Sequence, residues 1–227
     1  MLYRTNAQSR SIEESLVRWG IPYIVVGGLR FYDRREIKDL LAYLRLLVNP
    51  ADTVSLLRVI NVPKRGIGKT TIQRLTDAAN QLGIPLWDVV SDAEAVRSLG
   101  GRSARGLLQF CELLHDLRRQ VQEVAPSELI QQVMEKSGYV SELIAEGTDE
   151  AEERRRNLQE LVNAALQYQE ENEEGDLEGF LASAALSSDA DSKDTAADRV
   201  TLMTLHSSKG LEFPVCLLYT SPSPRDV

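Results

Sequence analysis

A segment near the end of the chain, residues 200–215, brings together side chains that can bind a ligand. Its sequence reads V-T-L-M-T-L-H-S-S-K-G-L-E-F-P-V. The apolar and β-branched start predicts a strand, and the serines and glycine that follow predict a turn. Because α/β sheets bind ligands at strand ends, we predict a binding site here. The pattern alone also fits a buried strand followed by a polar loop.

His206 lies in this predicted turn, and histidine is the commonest general base in enzymes. No nucleophile and no partner carboxylate is evident near it in the sequence. We therefore do not predict general-base catalysis by His206.

A second segment, residues 63–71, reads P-K-R-G-I-G-K-T-T and ends like a nucleotide-binding P-loop. A P-loop begins with a glycine, which is replaced here by Pro63, and it follows a buried strand. Residues 56–62 instead suit the end of a helix with a bend at the proline. We therefore predict that this segment is not a P-loop.

The same segment suits a glycine turn at the start of a helix. Backbone N–H groups at such a turn can hold a phosphate, and neighbouring cations add to the attraction. A turn that only joins two helices is the alternative. The predicted contacts are Lys64, Arg65, Gly66, Ile67, Gly68 and Lys69.

Arg4 and Asn6 stand between a predicted strand and a predicted helix. Both side chains can therefore face a groove and donate hydrogen bonds to phosphates or bases. Asn6 also suits the cap of the following helix, and the two roles conflict only if its side-chain oxygen is committed to the helix amides. Tyr3 is predicted to pack at the strand end.

Hydrophobic periodicity places these segments in a chain that is mostly helical. Ser127 is the predicted cap of one helix and Gly138 its predicted stop. Strands are predicted at residues 1–3, 23–26 and 200–205. Helices are predicted at residues 7–19, 53–60, 69–81, 85–90, 102–123, 127–136, 139–145, 150–171 and 177–186, with a further one from residue 33 to a stop at Asn49-Pro50.

Residues 187–198 lack apolar periodicity and are rich in Ser, Asp and Ala, which predicts a flexible acidic linker. Strand signals return after it. The order is therefore an α/β piece, a helical block and an α/β strand again, as an insertion into one domain would produce. The predicted fold class is α/β with an all-helical insertion.

The chain has 227 residues, of which 43% are hydrophobic and 26% charged, as is ordinary for a soluble globular protein. No apolar run approaches ~20 residues and no basic start precedes an apolar block. We therefore predict neither a membrane helix nor a signal peptide, and a cytoplasmic location. Cys111 and Cys216 lie far apart in the sequence, and the chain contains only 2 histidines. This pattern indicates neither a metal site nor a disulfide framework. Cys111 is predicted to be buried.

The formal net charge of −8 hides an uneven distribution. Residues 1–74 hold 13 Lys/Arg against 6 Asp/Glu, whereas residues 75–227 hold 13 against 28. Phosphate contacts depend on local rather than total charge, so the basic first third can face nucleic acid. A chance cluster of cations is the alternative.

Residues 204–213, T-L-H-S-S-K-G-L-E-F, resemble motif V of the UvrD/PcrA/Rep family of superfamily 1 DNA helicases at every position of its pattern T-L-H-x-[AS]-K-G-L-E-[FW]. Residues 2–10, L-Y-R-T-N-A-Q-S-R, resemble a segment of the same family's second RecA-like motor domain. Residues 27–39 and 61–68 match further segments in the family's order. The resemblance covers residues 1–215.

The resemblance implies an internal fragment of an ATP-dependent helicase that moves 3′ to 5′ on single-stranded DNA and unwinds duplex DNA. The helical insertion of this family swings as a unit. The implied divisions are the first part of the second RecA-like domain (residues 1–32), the inserted all-helical domain (residues 33–186), the linker (residues 187–198) and the return to the RecA-like domain (residues 199–215).

The resemblance also assigns roles to individual residues. Arg4 and Asn6 would face single-stranded DNA, and the glycine turn would touch the duplex. Glu212 would bind the nucleotide ribose, and Gly210 would permit close approach of the backbone. Lys209 would pair with an acidic residue outside the chain. The residues that would lie between nucleotide and DNA are Thr204, His206 and Ser208.

The implied cofactors are ATP and Mg²⁺. The implied partners are single-stranded and duplex DNA, with repair or replication proteins, in a bacterial, nucleoid-associated setting. The family carries its P-loop, metal-binding aspartate, catalytic glutamate and arginine finger outside residues 1–215, so this chain should not hydrolyse ATP alone. The alternatives are a non-catalytic DNA-binding or regulatory helical module and a subunit of a nuclease-linked helicase.

Residues 216–227 depart from the family, which continues with an apolar strand. They resemble a translated sequencing adaptor, and we interpret them as an artefact of library preparation. A disordered tail or a phosphorylation site at the Ser-Pro repeats is the alternative.

Overall fold

The computed structural model describes residues 1–189 and 199–219. Within those ranges, no helix has both the length and the apolar character needed to cross a bilayer. The strands are β1 (Leu2–Tyr3), β2 (Tyr23–Val25) and β3 (Val200–Thr204). The helices are α1 (Ser9–Arg18), α2 (Arg35–Val48), α3 (Thr53–Val59), α4 (Lys69–Leu82), α5 (Leu86–Ser91), α6 (Ala93–Leu99), α7 (Ala104–Arg119), α8 (Pro126–Lys136), α9 (Tyr139–Glu146), α10 (Asp149–Glu171) and α11 (Leu177–Asp189).

β3 lies in the middle of a small sheet, between β1 and β2, and runs parallel to both. In the register, Tyr3 of β1 is opposite Thr204, and Val25 of β2 is opposite Leu202. β1 and β2 precede the helical block in the chain, and β3 follows it. The chain therefore leaves the sheet after β2 and returns from the helical block to fill its centre.

The sheet has a small core of its own on the side covered by α1. Ile12 and Leu16 are one helical turn apart, so both face the strands. Tyr3 is fully buried, which confirms the prediction for this residue. The buried members of this core are Tyr3, Ile12, Leu16, Tyr23 and Leu202.

The helical block is built around α2, which contacts α3, α7, α8, α10 and α11. Apolar residues recur every three or four positions along α2, so they form one stripe that is buried on folding. Cys111 of α7 is buried in the same core, as predicted, and this burial raises the pKa of its thiol to about 12. The α2 stripe contains Ile37, Leu40, Leu44 and Leu47.

The sequence pattern missed α6 and overextended α7. α6 buries only Val96, so it has no apolar stripe, and its start is set by the Asp92 carboxylate, which accepts from two backbone N–H groups. The predicted helix at residues 102–123 begins with a short 3-10 turn, and its α-helical part ends at Arg119.

Two other helix boundaries also correct the predictions. Ser127 is not a cap, because α8 already begins at Pro126, whose fixed φ suits the first helical position. Gly138 follows α8 with a φ of 83°, which confirms the predicted stop. α11 continues to Asp189, past its predicted end, and residues 190–198 of the predicted linker lie outside the described residues.

A buried polar cluster joins α1 to the helical block. Arg34 donates to the Ser9 hydroxyl (2.7 Å) and to Oδ1 of Asn157 on α10 (3.0 Å). Glu13 lies 4.0 Å from the Arg34 guanidinium and accepts from the Phe31 N–H at 3.1 Å. Burial raises the pKa of Glu13 and lowers that of Arg34, because each charged form loses water.

Candidate functional site

The carboxyl ends of the three strands of this sheet lie at one edge, because the strands are parallel. We call this region the strand edge. β1 leads there into Arg4 and Asn6, β2 into Gly27 and Gly28, and β3 into the turn at residues 205–210. Residues far apart in the sequence therefore lie at the same edge.

The turn at residues 205–210 is held by hydroxyl groups of its own serines and of the preceding threonine. The Ser207 N–H donates to Oγ1 of Thr204 (3.1 Å), and the two hydroxyl oxygens lie 2.9 Å apart. Ser208 donates its hydroxyl to the Leu205 carbonyl (2.9 Å) and its N–H to the Thr204 carbonyl (3.0 Å). Because hydroxyl groups rotate, these bonds can be exchanged for others.

The remaining predicted residues of this segment face solvent. His206, Lys209, Gly210 and Glu212 are exposed. In the described part of the chain, the side chains of His206, Lys209 and Glu212 form no hydrogen bond or ion pair. Gly210 has a φ of 84°, a backbone conformation that side chains with a Cβ disfavour. Lys209 and Glu212, three residues apart in the sequence, therefore present an ammonium group and a carboxylate that have no partner among the described residues.

Gly27 allows the loop after β2 to approach this turn closely. A Cβ at Gly27 would lie 2.8 Å from Oγ of Ser207, and the φ of Gly27 is 78°. A larger residue would displace the Ser207 hydroxyl. The sequence signal for this close approach is the glycine pair that follows the strand, although no site role was predicted for Gly27.

Arg4 is exposed, whereas Asn6 is half-buried. Thr5 is the N-cap of the short 3-10 helix that follows β1, and it forms a capping box with Gln8. The capping interpretation of Asn6 is therefore wrong, because Asn6 lies one place inside that helix. Its side-chain nitrogen Nδ2 instead donates to the carboxylate of Glu153 on α10.

The predicted glycine turn, residues 63–68, lies between α3 and α4. A helix rather than a strand precedes it, as expected for a segment that is not a P-loop. Oδ1 of Asn61 accepts from the N–H groups of Arg65 (2.8 Å) and Ile67 (3.1 Å). Gly66 supplies the positive φ of 72° that reverses the chain. The turn is therefore anchored from the protein side.

Arg65 is a predicted phosphate contact that also has partners inside the protein. Its guanidinium points inward, where it donates to the Tyr43 hydroxyl (2.7 Å) and the Ser137 carbonyl (3.2 Å). It also lies 5.3 Å from the centre of the Phe110 ring. The Ile67 side chain is buried, and its N–H donates to Oδ1 of Asn61. Both residues support the turn.

The outer surface of the turn carries Lys64, Gly66, Gly68 and Lys69, which are all exposed. α4 begins at Lys69, and no side chain caps its first N–H groups. The first turn of a helix carries partial positive charge and unpaired N–H groups. Together with the two lysines, this surface is suited to a phosphate.

Two exposed arginines that were not among the predicted contacts, Arg102 and Arg105, lie beside this turn. Ser103 lies between them in the chain and donates its hydroxyl to the Gly66 carbonyl (2.8 Å), which places the start of α7 next to the glycine turn. Gly101, with a φ of 53°, marks a second glycine turn and was the available signal. We refer to four residues as the basic cluster: Lys64, Lys69, Arg102 and Arg105.

Comparison with known proteins identifies relatives over nearly the whole chain. The family model of the UvrD-like helicase C-terminal domain matches residues 1–223. The ATP-dependent DNA helicase PcrA of Leuconostoc citreum is 41% identical over 224 residues, which cover 96% of this chain and 30% of that protein. The PcrA helicases of Staphylococcus aureus and Staphylococcus epidermidis are each 41% identical over 220 residues, with the same coverage.

The chain thus spans 30% of the length of these relatives. The family match reaches residue 223, whereas the motif resemblance in the sequence covers residues 1–215. Leu218 forms a bridge with Leu2 of β1, so the beginning of the segment interpreted as an artefact lies against the sheet. From the extent of the match and the identity, the chain belongs to the UvrD-like helicase C-terminal domain family.

Proposed function

We propose that the chain is part of an ATP-dependent DNA helicase. Residues 1–32 and 199–215 belong to its second RecA-like motor domain, and residues 33–186 form a helical domain inserted into it. The observation that carries the proposal is the central position of β3 in the sheet. It brings the turn at residues 205–210 beside Gly27, although the whole helical block separates them in the sequence. The setting is the bacterial cytoplasm and nucleoid, with repair or replication proteins as partners.

Single-stranded DNA binds at the strand edge in this proposal. Arg4 supplies an exposed cation for a phosphate, and the Asn6 amide can donate to a phosphate or a base. The helicase moves 3′ to 5′, a direction that rests on the family resemblance alone. The strand edge is thus the part of this chain that grips the strand along which the enzyme moves.

Duplex DNA binds at the basic cluster. The cluster combines exposed cations with the open start of α4, and these groups attract phosphates without reading sequence. Arg65, Ile67 and Asn61 hold the glycine turn from inside, so its outer face is formed before DNA arrives. The helical domain therefore holds the duplex ahead of the motor.

ATP is the proposed nucleotide, and the strand edge fits one part of it. The exposed Glu212 carboxylate can accept hydrogen bonds from ribose hydroxyls, and Gly210 leaves the backbone open to close approach. ATP supplies the phosphoryl transfer that drives movement in such enzymes. Mg²⁺ is the proposed metal, and the family resemblance places the residues that would hold it outside this chain.

The turn at residues 205–210 links nucleotide to DNA. Thr204 and Ser208 form the hydroxyl bonds that shape the turn, and His206 is exposed beside them. A shift of Glu212 on nucleotide binding can therefore be passed to the β1 side of the sheet by an exchange of hydroxyl partners. Lys209 pairs with an acidic residue of the other motor domain.

A chimera tests the proposal. Residues 1–215 replace the matching segment of the Staphylococcus aureus PcrA helicase, and ATP hydrolysis and unwinding of a 3′-tailed duplex are measured. We expect both activities, and we expect Glu212→Gln to raise the KM for ATP while single-strand binding is kept. A chimera that binds DNA but neither hydrolyses ATP nor unwinds would favour a non-catalytic DNA-binding module.

A further inference from the structure

α10 lies along α1 through polar and charged pairs. The pairs follow the same order on both helices, so α10 presents a row of carboxylates to the α1 region. The first pair in the row involves Asn6, which precedes α1. The pairs are Asn6 with Glu153, Arg10 with Glu160 (3.5 Å) and Arg18 with Glu171 (3.1 Å).

The Glu153 carboxylate occupies the side of Asn6 that a DNA phosphate would need. Nδ2 of Asn6 donates to Glu153, while Oδ1 lies beside Gly28, 3.5 Å from the place of a Cβ there. Only the amide nitrogen can donate to a phosphate oxygen. A carboxylate and a phosphate a few ångströms apart also repel each other, so the two cannot share Asn6 without loss.

Glu153 can leave Asn6 without a separation of α10 from α1. Glu153 is half-buried at the start of the row, whereas Asn157, one turn further along α10, is buried and bound to Arg34 (3.0 Å) and Glu36 (2.7 Å). These buried bonds hold α10 in place. A rotation of the Glu153 side chain towards solvent is therefore enough to free the Asn6 amide.

We infer that Glu153 competes with single-stranded DNA for Asn6. Its carboxylate takes the position at the Asn6 amide that a DNA phosphate would otherwise occupy. The inference rests on the proposed role of Asn6 in single-strand binding. By linkage, DNA bound at Asn6 weakens the Asn6–Glu153 contact by the same factor by which that contact weakens DNA binding. The helical domain thus limits the grip of the strand edge on DNA.

Binding of a fluorescein-labelled oligo-thymidine to the 227-residue chain, followed by fluorescence anisotropy, tests the competition. Glu153→Gln removes the charge but keeps the shape of the side chain, and we expect it to tighten binding about fivefold. Glu150→Gln is the matched control, because Glu150 is an exposed carboxylate one turn earlier on the same helix. We expect this control to change the affinity less than about twofold.

A double variant shows whether the gain passes through Asn6. Asn6→Ala should weaken binding, and Glu153→Gln added to Asn6→Ala should then bring no further gain. If Asn6→Ala weakens binding but Glu153→Gln does not tighten it, the competition is refuted while the proposed role of Asn6 stands. If Asn6→Ala leaves binding unchanged, the role of Asn6 and the competition both fail.

Discussion

The glycine turn and the strand edge are held in different ways. At the glycine turn, Asn61 binds two backbone N–H groups from inside, and Ser103, in the 3-10 turn before α7, donates to the Gly66 carbonyl. At the strand edge, the turn at residues 205–210 is held by the Thr204 hydroxyl and by its own serines. The glycine turn is thus anchored in part by a segment far away in the sequence, whereas the turn at the strand edge is held mainly by its own and adjacent residues.

The difference fits the two tasks proposed for these turns. A surface that binds phosphates gains affinity when its geometry is formed in advance, because less order is lost on binding. An element that links nucleotide to DNA has to change partners, and a single hydroxyl bond contributes only about 1 kcal/mol to stability. We therefore expect the glycine turn to resist change and the turn at the strand edge to tolerate it.

The largest expected effect follows from removal of the Asn61 side chain. Asn61→Ala should lower the free energy of unfolding by about 3 kcal/mol, because two partly buried N–H groups lose their acceptor. Urea denaturation measures this loss. Asn80→Ala, at an exposed site on α4, is the control and should cost less than about 0.5 kcal/mol. A small loss at Asn61 would show that the turn does not depend on its inner anchor.

Two glycine substitutions sharpen the comparison. A Cβ at Gly106 would lie 2.3 Å from the Arg65 carbonyl oxygen, which is backbone, whereas a Cβ at Gly27 would meet the rotatable Ser207 hydroxyl. Gly106→Ala should therefore cost about 2 kcal/mol or more by overpacking. Gly27→Ala should cost about 1 kcal/mol, mostly from its positive φ. Thermal unfolding measures the loss of stability in both variants, and equal losses would indicate that the two turns are equally rigid.

The basic cluster should affect binding rather than stability. Lys69→Ala combined with Arg102→Ala should reduce the slope of log affinity for duplex DNA against log salt by about 2, one for each lost phosphate contact. The melting temperature should not change, because both side chains are exposed. Arg156→Ala, an exposed arginine on α10, is the control. An unchanged salt slope in the double variant would remove these residues from the duplex surface.

The Thr204 hydroxyl should matter more for coupling than for stability. Thr204→Val keeps the shape of the side chain but removes both the acceptor for Ser207 and the hydroxyl contact. We expect a stability loss of about 1 kcal/mol or less. In the PcrA chimera we expect single-stranded DNA to stimulate ATP hydrolysis less strongly. Full stimulation would argue against a role of the turn in coupling.

The smallest effect concerns the two cysteines, Cys111 in the core of the helical block and Cys216 beyond the turn at the strand edge. The raised pKa of Cys111, about 12, leaves about one thiol in ten thousand ionised at pH 8, so alkylation should be slow. Cys216 is exposed and should react first. Mass spectrometry after brief treatment with iodoacetamide should find label on Cys216 alone. Rapid labelling of Cys111 would show that the helical core opens.

The helical block could be read from the sequence wherever one face of a helix is buried. The stripe of α2 repeats at helical spacing, whereas α6 buries a single valine and therefore left no pattern. The glycine turn was located by its G-I-G sequence. The sequence did not show which of its cations face outward. Lys64 and Arg65 are adjacent in the chain, and only the packing of α7 and α8 turns Arg65 inward.

At the strand edge, the sequence predicted the residues of the turn but not the contacts they make with distant parts of the chain. Thr204 and its neighbours were found by their position after a strand and by family resemblance. The partner of Asn6 was not found, because Glu153 lies 147 positions away and meets Asn6 only when α10 packs along α1. Contacts of this kind are set by tertiary packing, which local patterns do not encode.

Amide hydrogen exchange measured by NMR, with and without a saturating DNA duplex, tests the central contrast most directly. In the free protein we predict slow exchange at the Arg65 and Ile67 amides and fast exchange at Ser207. The duplex should slow exchange at Lys69 and Thr70 and leave residues 205–210 unchanged. Equal exchange at Ile67 and Ser207, or a duplex that leaves the start of α4 unprotected, would contradict the account.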